Sequence, residues 1–340
     1  MIGSWYDSLN LFGKLTPRKL WNISKNFGSY YFSLFRKKPH HWGLPFSISV
    51  EPTTACNLRC PECPSGLRAF SRPTGLLQQG FYEKIIDQLA DHLLYLILYF
   101  QGEPYLHPQF FELVKYASQK KIYTATSTNA HYLHQKNIEK TLEAGLDRLI
   151  VSIDGTTQET YEAYRIGGNL EKVIRGTENL IKTRKQHKLK KPYVIFQFLV
   201  VKPNEHQIEE VKVLARDLGV DKVVFKTAQI YDYQNGSPLL PLQEKYSRYK
   251  LQEDGSYRIK NDLLNQCWKM WHSCVITWDG KVVPCCFDKD ASHQLGNLLE
   301  NSFEEVWQSK AYNQFRQQLL ISRKNIDICQ NCTEGTKVWA

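Results

Sequence analysis

Apolar and polar positions along the chain alternate between two periods. Runs of strand length, apolar almost throughout, occupy 46–52, 94–100, 121–127, 147–153, 193–201 and 220–227. The first five are followed by segments with apolar residues three and four apart: 79–91 (Phe81, Ile85, Leu89), 108–119 (Phe111, Val114, Ala117), 135–144 (Ile138, Leu142), 169–183 (Leu170, Val173, Ile174, Leu180) and 205–218 (Ile208, Val211, Leu214, Leu218). Continuous apolar strands alternating with amphipathic helices predict an α/β fold, a parallel sheet covered by helices. Six strands do not close an eight-stranded barrel, which leaves an open doubly wound sheet or a partial barrel. In both, a ligand binds at the C-terminal ends of the strands.

Outside this alternation the pattern changes. Residues 1–45 form a basic leader with a helical stretch from Pro17 to Lys38, where Leu20, Ile23, Phe27, Tyr31 and Leu34 recur at helical spacing. One reading is an amphipathic helix on a membrane surface or an acidic partner. The other is a cap on the bottom of the main domain with its lysines on the wet side, and the usual fate of amphipathic helices favours the cap. Residues 46–227 form the core domain, and 228–266, with Gly236, Pro238, Pro241 and Gly255, an irregular linker or cap. The stretch 267–335 starts with a hairpin, Val275–Trp278 and Lys281–Pro284 joined by Asp279-Gly280, and continues into a helix over 302–319.

The net charge of +10 changes the picture little, because the leader alone holds seven Lys/Arg against Asp7. The remainder is only modestly basic, and no nucleic-acid partner is expected. The longest strongly apolar run, Leu93 to Phe100, is far short of a bilayer span. No secretory signal pattern opens the chain, so a cytoplasmic location is expected.

Cysteine usage changes the picture most. Nine cysteines stand at 56, 60, 63, 267, 274, 285, 286, 329 and 332. An odd count in tight local groups points to metal ligation rather than to a disulfide framework. Cys56, Cys60 and Cys63 form C-x3-C-x2-C directly after the first strand, close enough for three thiolates to converge as iron–sulfur clusters require. Three ligands leave one iron of a 4Fe–4S cube open, and an open iron permits chemistry. A zinc site would call for two pairs of ligands.

The stretch Glu51-Pro-Thr-Thr-Ala-Cys-Asn-Leu-Arg-Cys-Pro-Glu-Cys63 resembles the signature of the radical S-adenosylmethionine enzymes, whose cluster loop follows the first strand of a partial (β/α)6 TIM-like barrel. Gln101-Gly102-Glu103-Pro104 is similar to that family's Gly-Gly-Glu-Pro segment, which receives the methionine amino group. Two positions depart from the pattern: Glu62 stands where an aromatic residue usually helps hold the adenine, and Gln101 replaces the first glycine. The resemblance implies that Ser127, Asn129, Ser152 and Asp154, at the ends of the third and fourth strands, bind the ribose and methionine carboxylate. Arg165 is a candidate bidentate partner for that carboxylate.

The C-terminal cysteines resemble the twitch extension, a reduced SPASM domain that holds one auxiliary 4Fe–4S cluster through four thiolates. Matching by the hairpin, with Asp279-Gly280 leading into Val-Val-Pro-Cys, selects Cys285, and Cys267, Cys329 and Cys332 complete the set. Cys274 and Cys286 are spare. A zinc ribbon is the alternative that four thiolates also satisfy.

The implied activity is reductive cleavage of S-adenosylmethionine, with a flavodoxin or ferredoxin as low-potential electron donor. Hydrogen abstraction from a small molecule or a peptide follows, and the auxiliary cluster either accepts an electron or holds the substrate-facing loops. The leader is too short for a winged-helix peptide-binding module, which leans the reading to a small molecule or to a peptide delivered by a partner. A peptide maturase making thioether or carbon–carbon crosslinks is the second reading. A non-catalytic iron–sulfur carrier, the third, leaves the strand-end residues unexplained.

Overall fold

The computed structural model describes residues 2–336. Six strands, β1 (Ser47–Val50), β2 (Tyr95–Ile97), β3 (Tyr123–Thr128), β4 (Arg148–Ser152), β5 (Tyr193–Val200) and β6 (Lys222–Thr227), pair in parallel, each with the next in sequence. Helices Gln79–Leu89, Phe110–Gln119, Gln135–Ala144, Leu170–Gln186 and Ile208–Leu218 connect them. This is the partial barrel. Ile48, Val50, Leu96, Leu149, Val151, Phe196 and Val200 are fully buried between sheet and helices, so the strands read as continuous apolar runs.

The sheet does not stop at β1. In the segment 228–266 a separate hairpin forms from β7 (Tyr249–Leu251) and β8 (Tyr257–Ile259). Then β9 (Ser273–Ile276) pairs in parallel with β1, Ser47 opposite Ser273 and Val50 opposite Ile276. The expected hairpin joins β9 antiparallel to β10 (Lys281–Val283), and β11 (Gly296–Asn297) adds the outer edge of a nine-stranded sheet. Its turn needs Gly280, at φ +84. The helix expected over 302–319 is two. Phe303–Trp307 starts with a Ser302/Glu305 capping box, and Ser309 breaks the run by capping Lys310–Ser322.

At the opposite end, helices Ile2–Phe12 and Pro17–Arg36 lie across the starts of β3 and β4; the sequence pattern gave no helix over 2–12. The Asp7 carboxylate accepts from Tyr123 and pairs with Arg148. Asn10 donates to Asp147 (2.9 Å), and Lys19 Nζ to the carbonyl of Lys121 (2.7 Å). The leader therefore caps the barrel bottom, with Phe27 and Leu34 packed on the core and Arg36, Lys37 and Lys38 exposed as expected, but the rest of the second helix corrects the expectation. Asn22, Asn26, Ser29 and Ser33 are buried, whereas Leu20 and Tyr31 are exposed. The reason is the returning segment 40–44, whose backbone groups need partners. Asn22 bonds both the N–H and the C=O of Leu44, Asn26 the same C=O, and Ser33 both groups of His40.

Candidate active site

The loop after β1 places Cys56, Cys60 and Cys63 at the C-terminal end of the sheet, with Cys60 buried and the other two half-buried. Cys63 starts the short helical turn Pro64–Leu67. Gly66 in that turn packs on the Cys60 backbone so closely that a Cβ there would lie 2.6 Å from its nitrogen. Each thiol has a polar neighbour from a different segment, two at strand ends and one beyond the helical turn 158–162. Cys63 lies 3.8 Å from Gln101 Oε1, Cys56 4.0 Å from Asn129 Nδ2, and Cys60 3.7 Å from Arg165 Nη1. Burial pushes the Cys56 thiol up to about 12 and raises Cys60 as well, the latter opposed by Arg165. Thiolates so placed need a cation bound to them, which an iron–sulfur cluster supplies. The donor set fits.

The segment after β2 approaches this loop from the barrel side. Gly102 sits at φ +75, and a Cβ on it would lie 2.3 Å from the Thr53 carbonyl. Only glycine fits. Glu103 is buried, its backbone N–H on Ala55 O at 2.7 Å. Its carboxyl accepts from Thr128 Oγ1 (2.7 Å), Asn129 N (2.8 Å) and Tyr105 N (3.2 Å). Burial raises its pKa to about 7, and the three hydrogen bonds hold it from rising further. Ser127 and Ser152, on neighbouring strands, stand 3.5 Å apart at their hydroxyls. Asp154 is fully buried and accepts from Leu199 N (2.7 Å) and Arg165 Nε (2.5 Å). Its geometry is that of a group aiming the guanidinium at Cys60. Glu62 accepts from the backbone N–H of Tyr231 at 3.0 Å, so it ties the cluster loop to the segment after β6.

Several residues that build this end of the barrel escaped the sequence reading. Asn204 donates to the carbonyls of Asp154 (2.9 Å) and Leu199 (2.8 Å), joining the ends of β4 and β5. Nothing in its local sequence marks it. Glu51 and Arg72 form a buried bidentate pair at 2.6 and 2.8 Å. The pair reaches the C-terminal hairpin, because Trp278 N donates to Glu51 (3.3 Å) and Arg72 Nε to Lys289 O (3.2 Å). Trp278 also donates to Pro73 O and lies over Gly75. Glu51 carries its own signal, since an acid at the end of a buried strand requires a cation to meet it.

Cys267, Cys285, Cys329 and Cys332 line one enclosed cavity, walled by Met270, Phe315, Leu319 and Ile328. Arg323, buried in the same lining, donates to Cys332 Sγ (3.2 Å) and Glu334 O (2.6 Å). Cys286 is exposed, and Cys274 is buried on β9 opposite Ile48, away from the cavity lining. Among the described residues no three Cys, His, Asp or Glu side chains close on one point as a single ion demands. Four thiols around one cavity can supply the four ligands of an iron–sulfur cluster.

Comparison with known proteins agrees with this geometry. Residues 50–223 match the Radical SAM superfamily model, and residues 267–333 match SPASM, an iron–sulfur cluster-binding domain. The chain is 26% identical over 312 residues to a tungsten-containing aldehyde ferredoxin oxidoreductase cofactor-modifying protein of Pyrococcus furiosus, covering 79% of this chain and 82% of that protein. It is 25% identical over 319 residues to the PqqA peptide cyclase of Gluconobacter oxydans, covering 87% and 84%. Among solved structures, BtrN in complex with AdoMet and 2-DOIA superposes with a TM-score of 0.55 at 19% identity, covering 86% of this chain and 94% of that one.

Proposed function

Since the chain belongs to the radical SAM superfamily and ends in a SPASM iron–sulfur domain, we propose that it catalyses the net oxidation of a substrate held over the barrel mouth. As a radical SAM enzyme it binds a 4Fe–4S cluster with S-adenosylmethionine in the barrel and an auxiliary iron–sulfur cluster in the C-terminal domain. When bound, these groups supply a 5′-deoxyadenosyl radical that removes a hydrogen atom and an acceptor for the electron left on the substrate.

The chain's own residues bind and orient. Cys56, Cys60 and Cys63 hold the first cluster; Cys267, Cys285, Cys329 and Cys332 hold the second. The Gly102 backbone and Glu103 carboxylate receive the methionine ammonium. Arg165, aimed by Asp154, offers its fork to the methionine carboxylate. Ser127, Ser152 and Asn129 offer the hydroxyls and amide for the ribose; the two hydroxyls lie together on neighbouring strands, which supports this role. A low-potential flavodoxin or ferredoxin supplies the electron that starts the cycle.

One observation carries the oxidation reading: β9 is hydrogen-bonded to β1, and Glu51–Arg72 ties the cluster loop to the hairpin. The auxiliary cavity is therefore fixed relative to the first cysteines, as directed electron transfer requires. Likeness to a peptide cyclase favours a second reading, in which the oxidation closes a crosslink in a peptide. Cells with and without the protein, profiled for metabolites and peptides, separate the two. Loss of two hydrogens from a small molecule supports the first, and the same loss with crosslinked fragments in a peptide supports the second. If the purified, reduced protein forms no 5′-deoxyadenosine, both fall.

A further inference from the structure

The two N-terminal helices bury polar side chains and expose aromatic ones. On the second, Phe27, Tyr30 and Leu34 pack on the core, yet a further set of large apolar residues faces solvent. On the first, Asp7 and Asn10 face in, while Trp5 (67% exposed), Leu9 and Phe12 (63%) repeat at helical spacing on the outside. On the second, the Asn22, Asn26 and Ser33 ladder faces in, while Trp21 (66%) and Phe35 (82%) lie outward. Trp42 extends this face by packing over Gly28, where a Cβ would lie 3.0 Å from its ring. Single exposed apolar residues are ordinary, but aromatic stripes on two successive helices mark a surface that is covered in use.

Charge identifies what covers it. Asp7, the sole acidic residue among positions 1–45, is buried against Arg148, so the leader contributes no negative charge to its outer face. Arg36, Lys37 and Lys38 are exposed at the end of the second helix, and Lys25 Nζ stands 5.8 Å from the Trp21 ring. A second basic edge comes from the connection before β5: Lys188 and Lys190 are exposed, and Lys190 Nζ lies 5.1 Å from the Tyr6 ring. A second copy of the chain docked through this face would set these cations against their own images. An anionic bilayer matches both components: aromatic rings settle at the headgroup boundary, and lysines around them meet lipid phosphates.

We propose that the outer face of helices Ile2–Phe12 and Pro17–Arg36 is an interfacial docking surface for an anionic phospholipid bilayer. The attachment is peripheral, since among the described residues no helix is long and apolar enough to cross a membrane. Because these helices cover the starts of the strands, the docked enzyme directs its strand ends and cysteine loop away from the lipid.

The test is co-sedimentation of the full chain with vesicles of phosphatidylcholine alone and of equal parts phosphatidylcholine and phosphatidylglycerol. The intact protein should pellet with the mixed vesicles and be largely released in high salt. Trp21→Ser with Phe35→Ser, and separately Lys37→Glu with Lys38→Glu, should each weaken binding about tenfold or more. All variants should form 5′-deoxyadenosine at the parent rate, showing that the fold survives. Protein that stays in the supernatant with phosphatidylglycerol vesicles overturns the proposal. So does vesicle binding insensitive to both variants, or a dimer that the aromatic substitutions disperse in the absence of lipid.

Discussion

The two groups of cysteines differ in number, setting and neighbours. The first has three thiols on one loop, two of them half-buried, each beside a polar group from a different segment. The second has four thiols drawn from three stretches of chain around an enclosed, largely apolar cavity. On the proposed assignment, three ligands among polar groups would leave a coordination position and the means to orient what fills it. Four ligands around an apolar cavity would complete a cluster and seal it. The surroundings then decide which group of thiols serves reaction and which serves storage of charge or structure.

The sharpest way to break this contrast is to replace Cys56, Cys60 and Cys63 together by Ala. 5′-Deoxyadenosine formation should vanish, and iron should fall from about eight to about four atoms per chain, the content of one remaining cube. Retained turnover would put the reactive cluster elsewhere. Replacing Cys329 and Cys332 by Ala should also remove about four irons, yet leave slow cleavage of S-adenosylmethionine measurable. Because Phe315 and Leu319 pack against that cavity, its melting temperature should fall by about 5 °C or more.

A smaller effect sharpens the first site alone. Glu103 has a carboxyl raised by burial to about 7, so its charged form dominates only above that pH. Binding of the methionine ammonium should strengthen as pH climbs through about 7 and weaken again above about 8, where an α-ammonium loses its own proton. Glu103→Gln should weaken binding about tenfold and flatten this profile, measured by calorimetry on the cluster-loaded protein. The sign reverses for ligand-free stability. A raised carboxyl stabilises the fold at low pH, and that share is lost as pH rises from the ordinary carboxylate range through about 7. The smallest effect belongs to Cys286→Ser. This thiol is exposed and outside the cavity lining, so iron content and melting should not change. A loss of iron would place it among the ligands.

The barrel was legible because its strands are buried on both faces and its helices repeat strictly. Local chemistry also marked Asp279-Gly280, and the Ser309 cap was readable but overridden by the apolar period across 302–319. The pairing of β9 with β1 was not legible, since no local pattern records a partner from the other half of the chain. Neither was Asn204, an asparagine like others in loops until the ends of β4 and β5 are seen on either side of it. The leader misled for a physical reason. Phe27 and Leu34 of its apolar stripe do pack on the core, but Leu20 and Tyr31 are left outside, because the segment 40–44 recruits Asn22, Asn26 and Ser33 through its backbone groups.

The β1–β9 pairing also orders events during synthesis. Strand β1 and the three thiols behind it emerge early, but the inner edge of β1 stays open until Ser273–Ile276 leaves the ribosome. An open strand edge invites wrong partners, and a contact spanning most of the chain forms slowly. The Glu51–Arg72 pair has the same dependence, since Trp278 and Lys289 close over it last. The first cysteine loop to be translated is thus among the last parts of the barrel to be locked. Hydrogen exchange at Ile48 and Val50 in arrested nascent chains would show that edge closing.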